Sequence, residues 1–205
     1  MLYIVSLYNI CYMKKPRGIY LYQTLYSETS KQRIVKTFLE HPEKEFSLSD
    51  LARISGVAKS NIGDILDELQ NHDIINIEKL SKIWRIKANS LGWNFIKLKI
   101  PHNIFLIYQS GIIDFLNEYF RNPKAIVLFG SFRKGEDIST SDIDIAIEND
   151  EKGYTVISIA ELNKFEKILG KKIQIHLFNR RNIDRSIFNN IANGIVISGF
   201  LEVKP

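Results

Sequence analysis

The chain has 205 residues, a formal net charge of +5, and 45% hydrophobic and 11% aromatic residues. This composition indicates a globular protein with enough apolar side chains for one large or two small domains. Its single cysteine, Cys11, excludes an intramolecular disulfide and a cysteine-rich zinc site. Because such cysteine usage suits a reducing compartment, we expect a cytoplasmic protein.

The basic excess lies in the N-terminal half of the chain. Residues 1–100 contain 15 Lys and Arg against 10 Asp and Glu, whereas residues 101–205 contain 13 of each class. A local excess of this size suits contact with a phosphate backbone, but charge alone does not identify a nucleic-acid partner.

The first 29 residues are assigned to an N-terminal tail or extension. Residues 1–12 are apolar but too short to span a bilayer, and the charges of Lys14, Lys15 and Arg17 follow them, which is the wrong order for a signal peptide. We therefore expect no membrane partner. Two interpretations remain open: a first strand or tail, or a translation start at Met13 instead of Met1.

Residues 30–89 predict three helices followed by a β-hairpin. Apolar residues recur at helical spacing, and capping and turn residues separate the segments. In chain order the predicted elements are a helix from Ser30 to Pro42, a short helix that is capped by Ser47 or Ser49 and stops at Gly56, a helix from about Lys59 to Asn71, and strands at 74–77 and 83–87 joined by a turn at 79–82.

This order of elements is that of a winged helix-turn-helix. The stretch LSDLARISGVAKSNIGDILDELQNHDIINI resembles the archaeal and bacterial winged-helix DNA-binding domains. The resemblance implies that the third helix enters the major groove and that the hairpin, or wing, touches the backbone. It assigns Lys59, Ser60 and Asn61 to base edges and Lys79 and Lys82 to phosphates.

An alternative for the same segment is a module for protein interaction or dimerisation. Many winged helices bind no nucleic acid, and the acids Asp64, Asp67 and Glu68 on the third helix weaken the DNA interpretation. A homodimer is therefore left open beside a DNA partner.

Residues 90–122 predict one or two helices. Their many apolar side chains exclude a floppy linker, so we expect the two halves of the chain to pack together. Pro101 is expected to break the helical segment, because proline has no N–H to donate. We assign 90–102 to a helical connector.

The second half begins with a strand that ends in a turn of small residues. Residues 125–129, AIVLF, form a short apolar run that predicts a buried strand leading directly into Gly130 and Ser131. Gly130 lets the backbone approach a bulky anion, and Ser131 offers a hydroxyl and an amide hydrogen to phosphate oxygens. The turn is therefore a candidate phosphate-binding turn.

Asp142 and Asp144 alternate with apolar residues in a second predicted strand, residues 142–147. Positions two apart share a face of a strand, and two neighbouring carboxylates repel each other unless a cation lies between them. Oxygen ligands favour a hard divalent ion. We therefore expect these two acids to hold Mg²⁺ that also binds nucleotide phosphate oxygens.

Gly130-Ser131, ten further residues and Asp142-Ile143-Asp144 together resemble the motif of the DNA polymerase beta-like nucleotidyltransferases, in particular their minimal prokaryotic members. Lys134-Gly135 and the segment SDIDI also match, and the resemblance runs from about residue 103 to the C-terminus, where 188–199 look like a closing helix and strand. It implies a small mixed-sheet domain at 103–205, so that the whole chain is predicted to be an α+β protein.

The resemblance also implies an activity. In that family two aspartates hold magnesium on a nucleoside triphosphate, the Gly-Ser turn grips the phosphates, and an acceptor hydroxyl attacks the α-phosphorus with release of pyrophosphate. This assigns catalysis and the metal to Asp142 and Asp144, and phosphate binding to Gly130, Ser131 and Lys134. Lys134 is equally compatible with a solvated loop residue.

One position departs from the family pattern. Members usually carry a third carboxylate on a later strand, but the matching strand, 171–178, has Gln174 at the expected position. A neutral amide cannot take a proton from an acceptor hydroxyl, so two-metal chemistry is in doubt. His176 shares the face of Gln174 and could serve as a base, although a lone histidine in a strand is more often structural.

Two functions follow from these residues. The first is an enzyme that moves a nucleoside monophosphate onto a hydroxyl of a protein, nucleic acid or small molecule. The second is a non-catalytic regulator, whose winged helix binds DNA while the degenerate transferase domain senses nucleotide or binds a partner. Minimal nucleotidyltransferases often resemble antitoxins, which implies a toxin as a protein partner.

Overall fold

The computed structural model describes residues 28–80, 83–150 and 153–203. Within these ranges the chain is an α+β protein with two separate sheets, as predicted. The two interpretations of the N-terminal segment and the choice of start codon lie outside the described residues.

The first three helices begin and end close to the predicted positions. They are α1 (Ser30–Glu40), α2 (Leu48–Ser55) and α3 (Ile62–Asn71). Ser47 caps α2 by accepting a hydrogen bond from the backbone N–H of Asp50, and Gly56 ends it in the left-handed region at φ 63°. Residues Lys59–Asn61, predicted as the first turn of the third helix, form a separate 3-10 turn instead.

A three-stranded antiparallel sheet completes the N-terminal half. Its strands are β1 (Glu45–Phe46), β2 (Ile75–Leu80) and β3 (Ile83–Ala88), in the order β1-β3-β2. The hairpin was predicted, but Lys79 and Leu80 belong to β2, since Leu80 pairs with Ile83. The expectation that they form the turn was therefore wrong.

Pro101 does not break the helix that follows. The helix α4 (Trp93–Ser110) runs through it and ends at Gly111, whose φ is 76°, before α5 (Ile112–Tyr119). The reason is a stripe of buried side chains that continues past the proline at intervals of three or four residues. Its members are Phe95, Lys99, Asn103, Ile107 and Ser110. Because α4 is continuous, the expected boundary at 102/103 falls inside one helix.

The second sheet has five strands in the order β6-β7-β5-β4-β8. Strands β5 and β7 are parallel, and the other neighbours are antiparallel. The elements are β4 (Ala125–Phe129), α6 (Gly130–Lys134), β5 (Ile143–Glu148), β6 (Tyr154–Ile157), a 3-10 turn (Ala160–Leu162), α7 (Asn163–Leu169), β7 (Ile173–Phe178), α8 (Arg185–Ala192) and β8 (Ile195–Gly199).

The two faces of this sheet are covered differently. One face carries the larger apolar core, which includes Ile145 and Ile175 and packs against α5 and α7. The other carries a smaller cluster that includes Ala146, Phe178 and Ile191 of α8. Since Asp144 and Ala146 are two residues apart on β5, Asp144 lies on the face of the smaller cluster.

A buried ion cluster joins the two halves. Lys99 of α4, with 2% of its side chain exposed, donates a hydrogen bond to the carbonyl of Leu39 at the end of α1. Oδ2 of Asp137, in the loop after α6, lies 3.2 Å from Nζ of Lys99 and 3.1 Å from Nζ of Lys171. Asn103 donates to Oδ1 of the same carboxylate over 2.7 Å. Burial lowers the pKa of Lys99, and the charge of Asp137 opposes that shift.

We predict that Asp137→Ala strongly destabilises the protein. The variant leaves two ammonium groups buried beside each other without their counter-charge, a loss of about 3–5 kcal/mol in the free energy of unfolding. Urea unfolding measures it. The matched control is Asp150→Ala, which removes an exposed partner of Lys124 and should leave the unfolding free energy nearly unchanged. Equal effects of the two substitutions would contradict a buried cluster that joins the halves.

Candidate nucleotide-binding site

Gly130 directly follows β4 and lies beside Asp144 of β5. Its φ is 74°, and a Cβ at this position would lie 2.1 Å from Oδ2 of Asp144. Phe129, the last residue of β4, is the register partner of Asp144 on β5. A side chain at position 130 would therefore collide with the Asp144 carboxylate, and both the backbone conformation and the space require glycine.

Asp142 directly precedes β5, which begins one residue later than predicted, and Asp144 is the second residue of the strand. Both are half-buried. Oδ2 of Asp142 accepts a hydrogen bond from Nε2 of Gln174, and Oδ1 of Asp144 lies 3.2 Å from Nε2 of His176. Within the described part of the chain, the second oxygen of each carboxylate accepts no hydrogen bond, so each acid keeps one oxygen for a ligand.

The strand β7 supplies the two side chains that hold the acids. Gln174 is the register partner of Asp144 in the parallel pair of strands. Its amide donates a hydrogen bond to Asp142. At the position where the family pattern has a third acid, this chain therefore has a residue that donates to one of the other two acids. His176 follows two residues later on the same face, with only 7% of its surface exposed.

Tyr154 of β6 completes the site and was not found from the sequence. Its hydroxyl lies 2.6 Å from Nδ1 of His176, and the His176 ring packs edge-on against Phe129 with centroids 4.9 Å apart. Burial, and secondarily the charge of Asp144, raise the pKa of Tyr154. His176, for which a structural role was favoured, thus contacts both Asp144 and Tyr154.

The remaining predicted phosphate ligands are accessible. Ser131 is half-buried directly after Gly130, and its carbonyl accepts the N–H of Glu136 in a short turn. Lys134 is exposed at the end of α6.

The acids fit one divalent cation that is shared with a ligand. Among residues 28–80, 83–150 and 153–203, no group of three or more His, Cys, Asp or Glu side chains forms a metal site. Two carboxylate oxygens are too few for a site made of protein alone, but magnesium keeps several waters and commonly takes one or two carboxylates together with substrate phosphates. The donor set therefore suits Mg²⁺ that arrives with a nucleotide.

Four of the residues assigned to DNA, Lys59, Ser60, Asn61 and Lys79, lie on the surface of the N-terminal half. Lys59, Ser60 and Asn61 are exposed in the 3-10 turn that precedes α3, so they are not on the helix proper. Nζ of Lys59 donates to Oγ of Ser49 over 2.8 Å. Nζ of Lys79 lies over the ring of Trp84 at 4.1 Å. Lys82 lies outside the described residues.

One acid near this surface is neutralised within the protein. Glu68 of α3 forms an ion pair of 2.6 Å with Lys31 of α1. The pairing removes part of the negative charge that counted against DNA on the third helix.

Among residues 28–80, 83–150 and 153–203, no helix is long and apolar enough to cross a membrane.

Two solved structures overlap with about half of the chain at low similarity. BpsR of Bordetella bronchiseptica, solved to explain regulation of its DNA binding by 6-hydroxynicotinic acid, has 13% identity and a TM-score of 0.32 over 50% of this chain and 84% of its own. The heme sensor PefR of Streptococcus agalactiae has 17% identity and a TM-score of 0.33 over 52% of this chain and 78% of its own.

Parts of the chain match known proteins by sequence. Residues 110–199 match the family model described as "Polymerase beta, Nucleotidyltransferase". A stretch of 54 residues is 44% identical to the protein named "Putative protein adenylyltransferase MJ1379" of Methanocaldococcus jannaschii, covering 25% of this chain and 54% of that protein. The chain thus spans about half the length of the curated relative it matches. Residues 110–199 are similar to the polymerase beta nucleotidyltransferases, as the motif predicted.

Proposed function

We propose that the chain transfers a nucleoside monophosphate from a nucleoside triphosphate to an acceptor hydroxyl, with Mg²⁺ as cofactor. The observation that carries the proposal is the contact between Asp144 and Gly130, where a Cβ would lie 2.1 Å from the carboxylate. It brings the acids and the phosphate-binding turn to one small space. A metal-bound triphosphate needs both groups within its own length.

Each residue of the site has a role in this proposal. Asp142 and Asp144 would hold the metal through their free oxygens, while Gly130 and Ser131 bind the phosphates. Magnesium, when bound, supplies charge neutralisation of the triphosphate and stabilises the charge that develops on the leaving pyrophosphate. The hydrogen bonds from Gln174 and His176 fix the two carboxylates, so little reorganisation is needed when the nucleotide binds.

A protein is the acceptor class that we favour for transfer to a second molecule. The name of the Methanocaldococcus jannaschii relative assigns protein adenylylation to that protein. A partner encoded beside this chain, such as a toxin, is the first acceptor to examine, and ATP is the first donor.

We predict that the wild-type protein transfers α-labelled nucleotide to an acceptor in cell lysate only when Mg²⁺ is present. The double variant Asp142→Asn with Asp144→Asn removes the two negative charges that are proposed to hold the metal. It should lower the transfer by a factor of about 100 or more. Gel autoradiography measures the label.

Lys97→Met is the control, since Lys97 is exposed on α4, where its ammonium lies 6.0 Å from the ring centroid of Trp93. It should transfer like the wild type. Equal labelling by the double variant would contradict a role of the acids in transfer.

A second candidate is a nucleotide-binding regulator without turnover. The observation that favours it is the amide of Gln174, which donates to Asp142 where an acid would accept a proton. Nucleotide binding without transfer in the wild type, together with transfer by Gln174→Asp, would establish this candidate over the first.

We also propose that the N-terminal half, residues 30–89, binds DNA through the exposed 3-10 turn and the hairpin. The supporting observation is the exposure of Lys59, Ser60 and Asn61 in the turn before the third helix. Two exposed basic residues of the hairpin strands, Lys79 and Lys87, add charge beside it. Dimerisation through the same half remains the alternative.

We predict salt-sensitive binding of duplex DNA that weakens when Lys59 and Lys82 are both changed to Glu. Each lost phosphate contact lowers the salt slope by about 1, and the loss should be uniform across sequences for a phosphate-contacting lysine. Fluorescence anisotropy over a salt series measures it, with the double variant Lys97→Glu and Lys167→Glu, two exposed lysines not assigned to DNA, as the equal-charge control. Binding that is absent, or that does not change with salt, would overturn the DNA proposal.

A further inference from the structure

Three side chains from three strands form a continuous chain of hydrogen bonds at the edge of the site. The Tyr154 hydroxyl on β6 lies 2.6 Å from Nδ1 of His176 on β7. Nε2 of the same imidazole lies 3.2 Å from Oδ1 of Asp144 on β5. The order is therefore hydroxyl, imidazole, carboxylate.

The chemistry of Asp144 and Tyr154 determines which atom donates in each hydrogen bond to His176. An ionised Asp144 only accepts, so Nε2 of His176 carries the hydrogen and donates it. In the neutral imidazole Nδ1 then has no hydrogen and accepts from the Tyr154 hydroxyl. This assignment gives each of the two contacts a donor and an acceptor, and it directs the phenolic proton at a nitrogen lone pair. A nucleophile, a base and a group that orients the base share this arrangement in hydroxyl-based catalysis.

Tyr154 differs from its two partners in exposure. His176 is 7% exposed and is enclosed by Phe129 and Tyr154, whereas Tyr154 is 37% exposed on the edge strand of the sheet. Its hydroxyl is thus held near the acids while the residue remains reachable by a ligand. No other hydroxyl within the described ranges is hydrogen-bonded to this imidazole.

The hydrogen-bonded group of three side chains also contains a proton acceptor, which Gln174 cannot be. A nucleotidyl transfer needs a group that takes the proton of the attacking hydroxyl, and an amide cannot take it. Nδ1 of His176 can, but its lone pair faces Tyr154. Any external acceptor would have to displace Tyr154 to use it, whereas Tyr154 itself needs no displacement.

We propose that Tyr154 is a nucleotide acceptor of this protein, so that the chain modifies itself; this inference rests on the proposed function. The phenolic oxygen of Tyr154 attacks the α-phosphorus of a nucleoside triphosphate. The new bond joins that oxygen to the α-phosphorus, the bond from the α-phosphorus to the oxygen bridging to the β-phosphorus breaks, and pyrophosphate leaves. The phenolic proton passes to Nδ1 of His176. The product is a phosphodiester of tyrosine and a nucleoside.

Intact-protein mass spectrometry with peptide mapping tests the proposal. The purified chain, incubated with ATP and Mg²⁺, should gain the mass of one AMP at Tyr154. The fraction modified per unit time should not depend on protein concentration, because the transfer is within one chain. Tyr154→Phe should lose the added mass completely. Tyr108→Phe, which removes a hydroxyl exposed on α4, should gain it like the wild type.

A second readout needs neither nucleotide nor metal. In the free protein, Tyr154→Phe should shift the imidazole signals of His176 in a nuclear magnetic resonance spectrum, because Nδ1 loses its hydrogen bond. Unchanged signals would overturn the proposal, since the hydroxyl would not be held at that nitrogen.

The remaining outcomes separate this inference from the proposed function. Label on lysate proteins with no added mass at Tyr154 would overturn self-modification and leave the transferase intact. Added mass that persists in Tyr154→Phe would also overturn it. A wild-type chain that labels neither itself nor any lysate protein would overturn both.

Discussion

The carboxylate of Asp144 fills the space that any side chain at position 130 would need, and the rest of the site follows from this contact. It exists because β4 ends beside the point where β5 begins, with Phe129 and Asp144 as register partners. Glycine alone allows the approach and the backbone conformation with φ of 74°. The turn proposed to bind phosphate and an acid proposed to hold the metal thereby become neighbours, although 13 residues separate them in sequence.

The loop that links these neighbours is held from the opposite side. Asp137, within the loop, is buried between Lys99 of α4 and Lys171. Lys99 also binds the end of α1 through the Leu39 carbonyl, and Ser139 of the loop donates its N–H to Glu43 after α1. The N-terminal half thus contacts the segment that carries the chain from Gly130 to Asp142. A displacement of α1 would therefore disturb the hydrogen bonds that hold this segment.

Local patterns predicted the parts that depend on local chemistry. Alternation predicted the strand that carries Asp144, and the capping residue Ser47 and the terminating Gly56 bounded the second helix. The misses depended on tertiary contacts. Pro101 is tolerated because buried side chains on both sides of it hold α4 together. Tyr154 lies on a short edge strand with little periodicity, and its role appears only when β6 pairs with β7 and brings it to His176.

The most direct test of this account is the Mg²⁺ dependence of nucleotide binding. Isothermal titration with a non-hydrolysable nucleoside triphosphate should show binding by the wild type that requires Mg²⁺. Gly130→Ala, which sets a methyl group against Asp144, and Asp144→Asn, which keeps the shape and removes the charge, should both lose it while remaining folded by circular dichroism. Equal affinity with and without Mg²⁺, or unchanged affinity in Asp144→Asn, would contradict a site in which the acids and the Gly130 turn bind one metal-nucleotide complex.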